Sequence, residues 1–176
     1  MLVIELACLR GVGNEFIIKE GGLVWVGGLQ NESESMQTLL FQSPYSESLV
    51  PEYIRKTNRW ITNNLHKISW EDGYIPYSQM PATLSQFSKG WGPIFTKGSE
   101  KAQFLSTILG EKVFDLDDFD CPKADELALP LMTTCLVGHT KHCALFKALR
   151  YAKWLSCAKP THPINVSGVF KHPMAC

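Results

Sequence analysis

Nine consecutive residues, Cys135-Leu-Val-Gly-His139-Thr-Lys-His142-Cys143, hold two thiols and two imidazoles and run directly into Ala144-Leu-Phe-Lys-Ala-Leu-Arg-Tyr-Ala-Lys-Trp-Leu. Thiolate and imidazole are the donors that tetrahedral zinc prefers. Three residues separate Cys135 from His139 and three more separate His139 from Cys143, so a turn and the start of a helix can supply three ligands. A fourth must then come from a distant part of the chain, which constrains how the rest folds around this helix. The competing reading is two buried cysteines, acting as small hydrophobes, beside two surface histidines.

A chain of 176 residues is long enough to bury a sizeable core as one domain. Hydrophobic residues at 45% and charged residues at 19% suit a folded domain and exclude a disordered one. The formal charge is zero, so overall charge selects neither nucleic acid nor membrane as a partner. The distribution is uneven. Asp115, Asp117, Asp118, Asp120, Asp125 and Glu126 cluster, and no acid follows Glu126, whereas Lys141, Lys147, Arg150, Lys153, Lys159 and Lys171 do. No apolar run is long enough to span a bilayer. Glu5 and Arg10 interrupt the first apolar run, so it does not read as a leader, and the six cysteines read as intracellular thiols or metal ligands rather than disulfides. The compartment expected is therefore cytoplasmic or nuclear, with no membrane partner.

Hydrophobic patterning predicts a strand over 2–9, a turn at Gly11–Asn14, and a second strand over 16–26. Gly21 and Gly22 interrupt that strand and point to a bulge or to a close backbone approach. A third strand is expected over Thr38–Gln42. A helix is expected over 47–67, where Leu49, Tyr53, Trp60, Ile61 and Leu65 recur at helical spacing. A helix over 77–87, a strand over 93–96 and a helix from Ser99 to Leu109 ended by Gly110 follow. The last elements expected are a strand over 113–116, an acidic loop, and a helix over 143–156. Residues 157–176, with Pro160, Pro163, Gly168 and Pro173, form a tail outside the domain of residues 1–156. A meander followed by alternating helices and strands predicts an α/β protein: a mixed sheet, antiparallel and then parallel, flanked by helices in the ribonuclease-H-like order.

Several segments carry a family resemblance. Ile18-Lys19-Glu20-Gly21-Gly22-Leu23-Val24 resembles the second strand of DEDDh 3′–5′ exonucleases. The stretch from Thr96 to Leu105 resembles their His-Asn-x-x-Phe-Asp-x-x-Phe-Leu segment, and His142-Cys143-Ala144-Leu145-Phe146-Lys147-Ala148 resembles their closing His-x-Ala-x-x-Asp-Ala motif. Two-metal phosphodiester chemistry needs several carboxylates. Glu5 stands at the first acidic position, but Ala7, Lys101 and Lys147 take the other three. The resemblance therefore implies a domain with no catalytic residues of that kind.

The Maelstrom domain, a degenerate branch of this fold with a Glu-Cys-His-Cys zinc set, is similar at more positions. Glu20 on the second strand and Cys135, His139 and Cys143-Ala144-Leu145 at the last helix match its arrangement. The Cys-to-His and His-to-Cys spacings differ, which leaves His142 as an alternative to His139. The resemblance implies a structural zinc ion and a role as an RNA-binding or scaffold domain in a pathway such as small-RNA silencing, with single-stranded RNA and proteins of that pathway as partners. Two alternatives accompany it: a single-stranded RNA nuclease that does not use the two-metal mechanism, and a protein-binding adaptor.

Candidate contacts to RNA are Lys147, Arg150 and Lys153, which recur every three residues on the last helix, and Trp91, which lies in Lys89-Gly-Trp-Gly92 and could stack on an unpaired base. For the lysines and arginine the plainer reading is a solvated helix face. For the acidic cluster it is a solvated loop, because the ligand spacing of a calcium loop is missing.

Overall fold

The computed structural model describes residues 1–26, 36–127 and 142–157. Five strands form one mixed sheet: β1 (Leu2–Arg10), β2 (Phe16–Trp25), β3 (Met36–Leu40), β4 (Ile94–Thr96) and β5 (Val113–Asp115), in the order β3-β2-β1-β4-β5. The pairs β1/β2 and β2/β3 are antiparallel, whereas β4 runs parallel to β1 and β5 parallel to β4. Among the described residues four α-helices accompany the sheet: α1 (Glu52–Ile61), α2 (Met80–Ser88), α3 (Ser99–Leu109) and α4 (Ala144–Cys157). The α/β class and the helix-flanked mixed sheet are thus as the patterning predicts. No helix among the described residues is long and apolar enough to cross a membrane.

Side chains alternate across a strand, and β1 uses both faces. Leu2, Ile4 and Leu6 pack with Leu84 of α2 and Leu105 of α3 in one core. Val3 lies on the opposite face, in a second core with Val24, Phe95 and the Leu145, Phe146, Leu149 and Ala152 side of α4. Glu5 and Ala7 share that α4-covered face by the same alternation. Their cross-strand partners are Gly22 and Glu20, respectively. One local arrangement therefore gathers Glu5, Ala7, Glu20 and Gly22 under a single helix.

The β1/β2 register shifts by one residue between Ala7 and Cys8, where Glu20 and Ile18 are the partners and Lys19 is extra. The bulge thus falls two positions before the first of the expected glycines, on a residue whose side chain turns inward. Lys19 is fully buried, and its ammonium donates to Ser43 Oγ (2.9 Å), Trp70 O (2.9 Å) and Asp72 O (2.7 Å). Burial lowers its pKa to about 8. Three oxygens hold this cation, so it stitches β2 to the 70–72 turn and is not paired with Glu20.

The single helix expected over 47–67 is instead a short 3-10 turn at Glu47–Leu49, α1, and one wider π turn at Thr62–His66. Its inward face also differs from the one predicted. Leu49, Tyr53 and Trp60 are exposed, and the buried positions of α1 are Ile54 and Asn58. Asn58 faces inward because its amide completes the end of β1. It accepts from Arg10 N through Oδ1 and donates from Nδ2 to Arg10 O, both at 2.8 Å. A polar residue acting as a strand partner is invisible to apolar periodicity. The later elements fall where expected, and Gly110 closes α3 in the left-handed region at φ 68°. The tail from residue 158 lies outside the described residues.

Candidate functional site

The first turn of α4 rests on β2 at Gly22. A Cβ placed on Gly22 would run into the backbone of Ala144 and Leu145, so Gly22 permits a close approach that no other residue would allow. Beside it, Glu20 is fully buried. Its Oε2 accepts from the Ala144 amide at 3.0 Å, and its Oε1 lies 3.6 Å from the Cys143 thiol, which donates to it. A carboxylate at a helix start satisfies an amide that has no intrahelical partner and meets the positive end of the helix dipole.

Two of the expected zinc ligands, Glu20 and Cys143, are therefore in contact although 123 positions apart in the chain. Cys143 is also fully buried. Their donor types fit a zinc shell, and their burial excludes water from it. Cys135 and His139 lie outside the described residues. His142, the alternative ligand, is half-buried and lines a cleft on this side of the molecule. Among the described residues no group of three or more His, Cys, Asp or Glu side chains is placed to hold a metal.

The second constellation centres on Glu5, only 1% exposed. Oε1 accepts from Thr96 Oγ1 (3.2 Å) and from the Lys97 amide (2.8 Å), and Oε2 receives Lys101 Nζ at 2.5 Å. It accepts from three donors, one of them a cation, so a metal ion bound here would lie beside the Lys101 ammonium and be repelled by it. Ala7, the next residue on the same face, brings no donor atom. Lys147, one turn into α4, completes the group. Burial lowers its pKa, the Glu5 charge opposes that shift, and Lys101 adds to it. Glu5, Ala7, Lys101 and Lys147 thus lie together, one carboxylate and two ammonium groups beside a methyl.

These lysines open onto a cleft of about 440 Å³, lined also by Arg10, Ser99, Phe16 and Leu65. Cys8 lines it too, but burial raises its thiol to about 12, which keeps it a neutral group rather than a nucleophile at ordinary pH. Arg10 sits over the Phe16 ring at 4.1 Å and pairs with Glu100 at 3.4 Å. Sequence reading missed Arg10, because nothing local tells that the end of β1 faces the start of α3.

The basic recurrence on α4 does not make one solvated stripe. Lys153 is exposed and Lys147 half-buried, but Arg150 is only 6% exposed and faces Asp125 across 3.8 Å. The i, i+3 step places all three near one helix face, yet that face turns under the 124–126 segment at its middle. Trp91 is 50% exposed and leans on Trp25 with ring centroids 5.6 Å apart. The acidic cluster is partly built in. Asp115 is buried and caps the following turn by accepting from the Asp117 amide at 2.9 Å, and Asp117 pairs with Lys97 at 2.5 Å.

Comparison with protein-family models, curated proteins and solved structures finds no match.

Proposed function

We propose that this chain is a catalytically degenerate, ribonuclease-H-like domain of the Maelstrom kind, which binds single-stranded RNA as a scaffold and does not cut it by two-metal chemistry. The observation that carries the reading is the commitment of Glu5 to Thr96, Lys97 and Lys101. A two-metal phosphodiesterase needs its carboxylates free to hold a pair of divalent ions. Here the one carboxylate present already holds a cation that is part of the chain. The strand order, with α4 laid across β1 and β2, supports the fold half of the reading.

Zinc belongs to the same proposal. Glu20 and Cys143, with Cys135 and His139 or His142, would hold it. The ion would supply a closed structural shell that fastens α4 to β2 and adds directly to folding free energy. The contact between Glu20 and the first turn of α4 is the part of that closure contributed by the chain itself.

Elemental mass spectrometry on untagged protein is expected to find about one zinc per chain, lost together with stability in Cys143→Ala. Fluorescence anisotropy with single-stranded RNA is expected to show binding, and the same RNA should stay intact with Mg2+ or Mn2+ present. Divalent-dependent cleavage abolished by Glu5→Gln would overturn the degenerate reading. Product that accumulates in EDTA, and disappears in a point variant of the same preparation, would establish the metal-independent nuclease instead. A stable protein with no RNA affinity would leave the adaptor.

A further inference from the structure

The cleft beside Lys101 and Lys147 has a mixed lining. The cations of Arg10, Lys101 and Lys147 share it with the apolar side chains of Leu6, Phe16 and Leu65. It continues into a second depression of about 400 Å³ that shares Arg10, Phe16 and Glu100 with it and is lined further by Phe104. Phe16 and Phe104 meet edge to face, centroids 5.8 Å apart, so two half-buried rings lie side by side along the joined track. Arg10 stands at the junction, fixed by the Phe16 ring below it and by Asn14 O at 3.1 Å.

Cations interleaved with aromatic rings along one track are what an unpaired nucleic-acid strand requires: point charges for phosphates and flat apolar surfaces for bases. A track of two joined depressions suits a strand better than a lone anion. Lys101 is also preorganised, because Glu5 at 2.5 Å fixes its ammonium before any ligand arrives.

Resting on the RNA-binding reading above, we propose that the joined cleft is the path of the strand. One phosphate sits against Lys101 and Lys147, the next against Arg10, and the bases lie on Phe16 and Phe104. The replaced acidic positions thereby become a phosphate site in which ammonium groups of the chain do the work of metal ions. Glu100, 68% exposed and paired with Arg10 at 3.4 Å, and Glu15, which lines the second depression, are acids on the rim and oppose the strand.

The test is anisotropy titration of a fluorescein-labelled oligouridine of ~12 nucleotides at several NaCl concentrations. Lys147→Met and the charge-balanced pair Glu5→Gln/Lys101→Met should each weaken binding and flatten the log–log salt slope by about 0.7, one phosphate contact on a single strand. Phe104→Ala should weaken binding about tenfold with an unchanged slope, and Glu100→Gln should tighten it. Lys112→Met, at the far end of α3, should change neither quantity. Photo-crosslinking of the unmodified protein to 4-thiouridine RNA needs no variant to fold, and should label residues 10–16 or 99–108. Binding and slope unaltered in every variant, or crosslinks confined to the Trp91 segment or to the exposed end of α4, would overturn the track and leave RNA binding standing. No binding by the unmodified protein would overturn both.

Discussion

Gly22→Ala is expected to destabilise the domain by about 3 kcal/mol, because the added methyl meets backbone rather than a side chain that could turn aside. The atoms in its way are those of Ala144 and Leu145, and they move only if α4 lifts from the sheet. Lifting α4 also breaks the contacts of Glu20 with the Ala144 amide and the Cys143 thiol, and would leave a fully buried carboxylate without them. For a domain of this size the loss corresponds to roughly 10 °C in melting temperature. Gly21→Ala is the matched comparison. Its Cβ would lie 3.7 Å from Leu23 and Leu84 side-chain atoms, an ordinary contact, so it should fall within about 0.5 kcal/mol of the unmodified protein. Thermal and urea unfolding of the two variants decide the matter. Equal stabilities would mean that α4 does not rest on Gly22 as described.

Lys101→Met should cost about 2–3 kcal/mol, since it strips the cation from a carboxylate only 1% exposed. The cost falls below the range for fully buried pairs because Lys101 itself is 23% exposed and partly screened by water. Adding Glu5→Gln should recover most of the loss. The neutral amide still offers an oxygen to Thr96 Oγ1 and the Lys97 amide, and no charge is left unpaired. A double-mutant cycle read by urea unfolding should therefore show coupling well above 1 kcal/mol. Strict additivity would mean that Glu5 and Lys101 do not form the ion pair that the degenerate reading depends on. The same cycle separates folding from function. The double variant keeps the fold yet lacks the Lys101 ammonium, so its RNA affinity reports the phosphate contact alone.

Much of the architecture was legible from residue patterns. The apolar runs at Leu2–Arg10 and Phe16–Trp25 mark strands, and Gly110 marks the end of α3, because strand burial and helix closure leave local signatures. The close approach at Gly22 was also signalled, since Gly in a strand marks either a bulge or a neighbouring backbone. The α1 region misled. Its apolar residues Leu49, Tyr53 and Trp60 mimic a core stripe, whereas burial falls on Ile54 and on Asn58, whose amide satisfies the end of β1. Periodicity counts apolar side chains, so it has no means of recognising a polar one turned inward for hydrogen bonds.

The sequence by itself determined which chemistry was available: thiol and imidazole donors before the last helix, a glutamate on the second strand, and lysines at positions 101 and 147. Only the tertiary structure decided which of these groups meet. Cross-strand register places Glu5 opposite Gly22 and Ala7 opposite Glu20, and the two-residue alternation of strands turns all four toward α4. That alignment brings Glu20 to Cys143 and Lys101 to Glu5, residues separated by 123 and 96 positions. It also buries Arg150 beside Asp125 and so breaks up the basic recurrence on α4. The physical reason is that side-chain direction is a local property, set by backbone periodicity, whereas the partner facing that direction is set by which helix the sheet recruits to cover it.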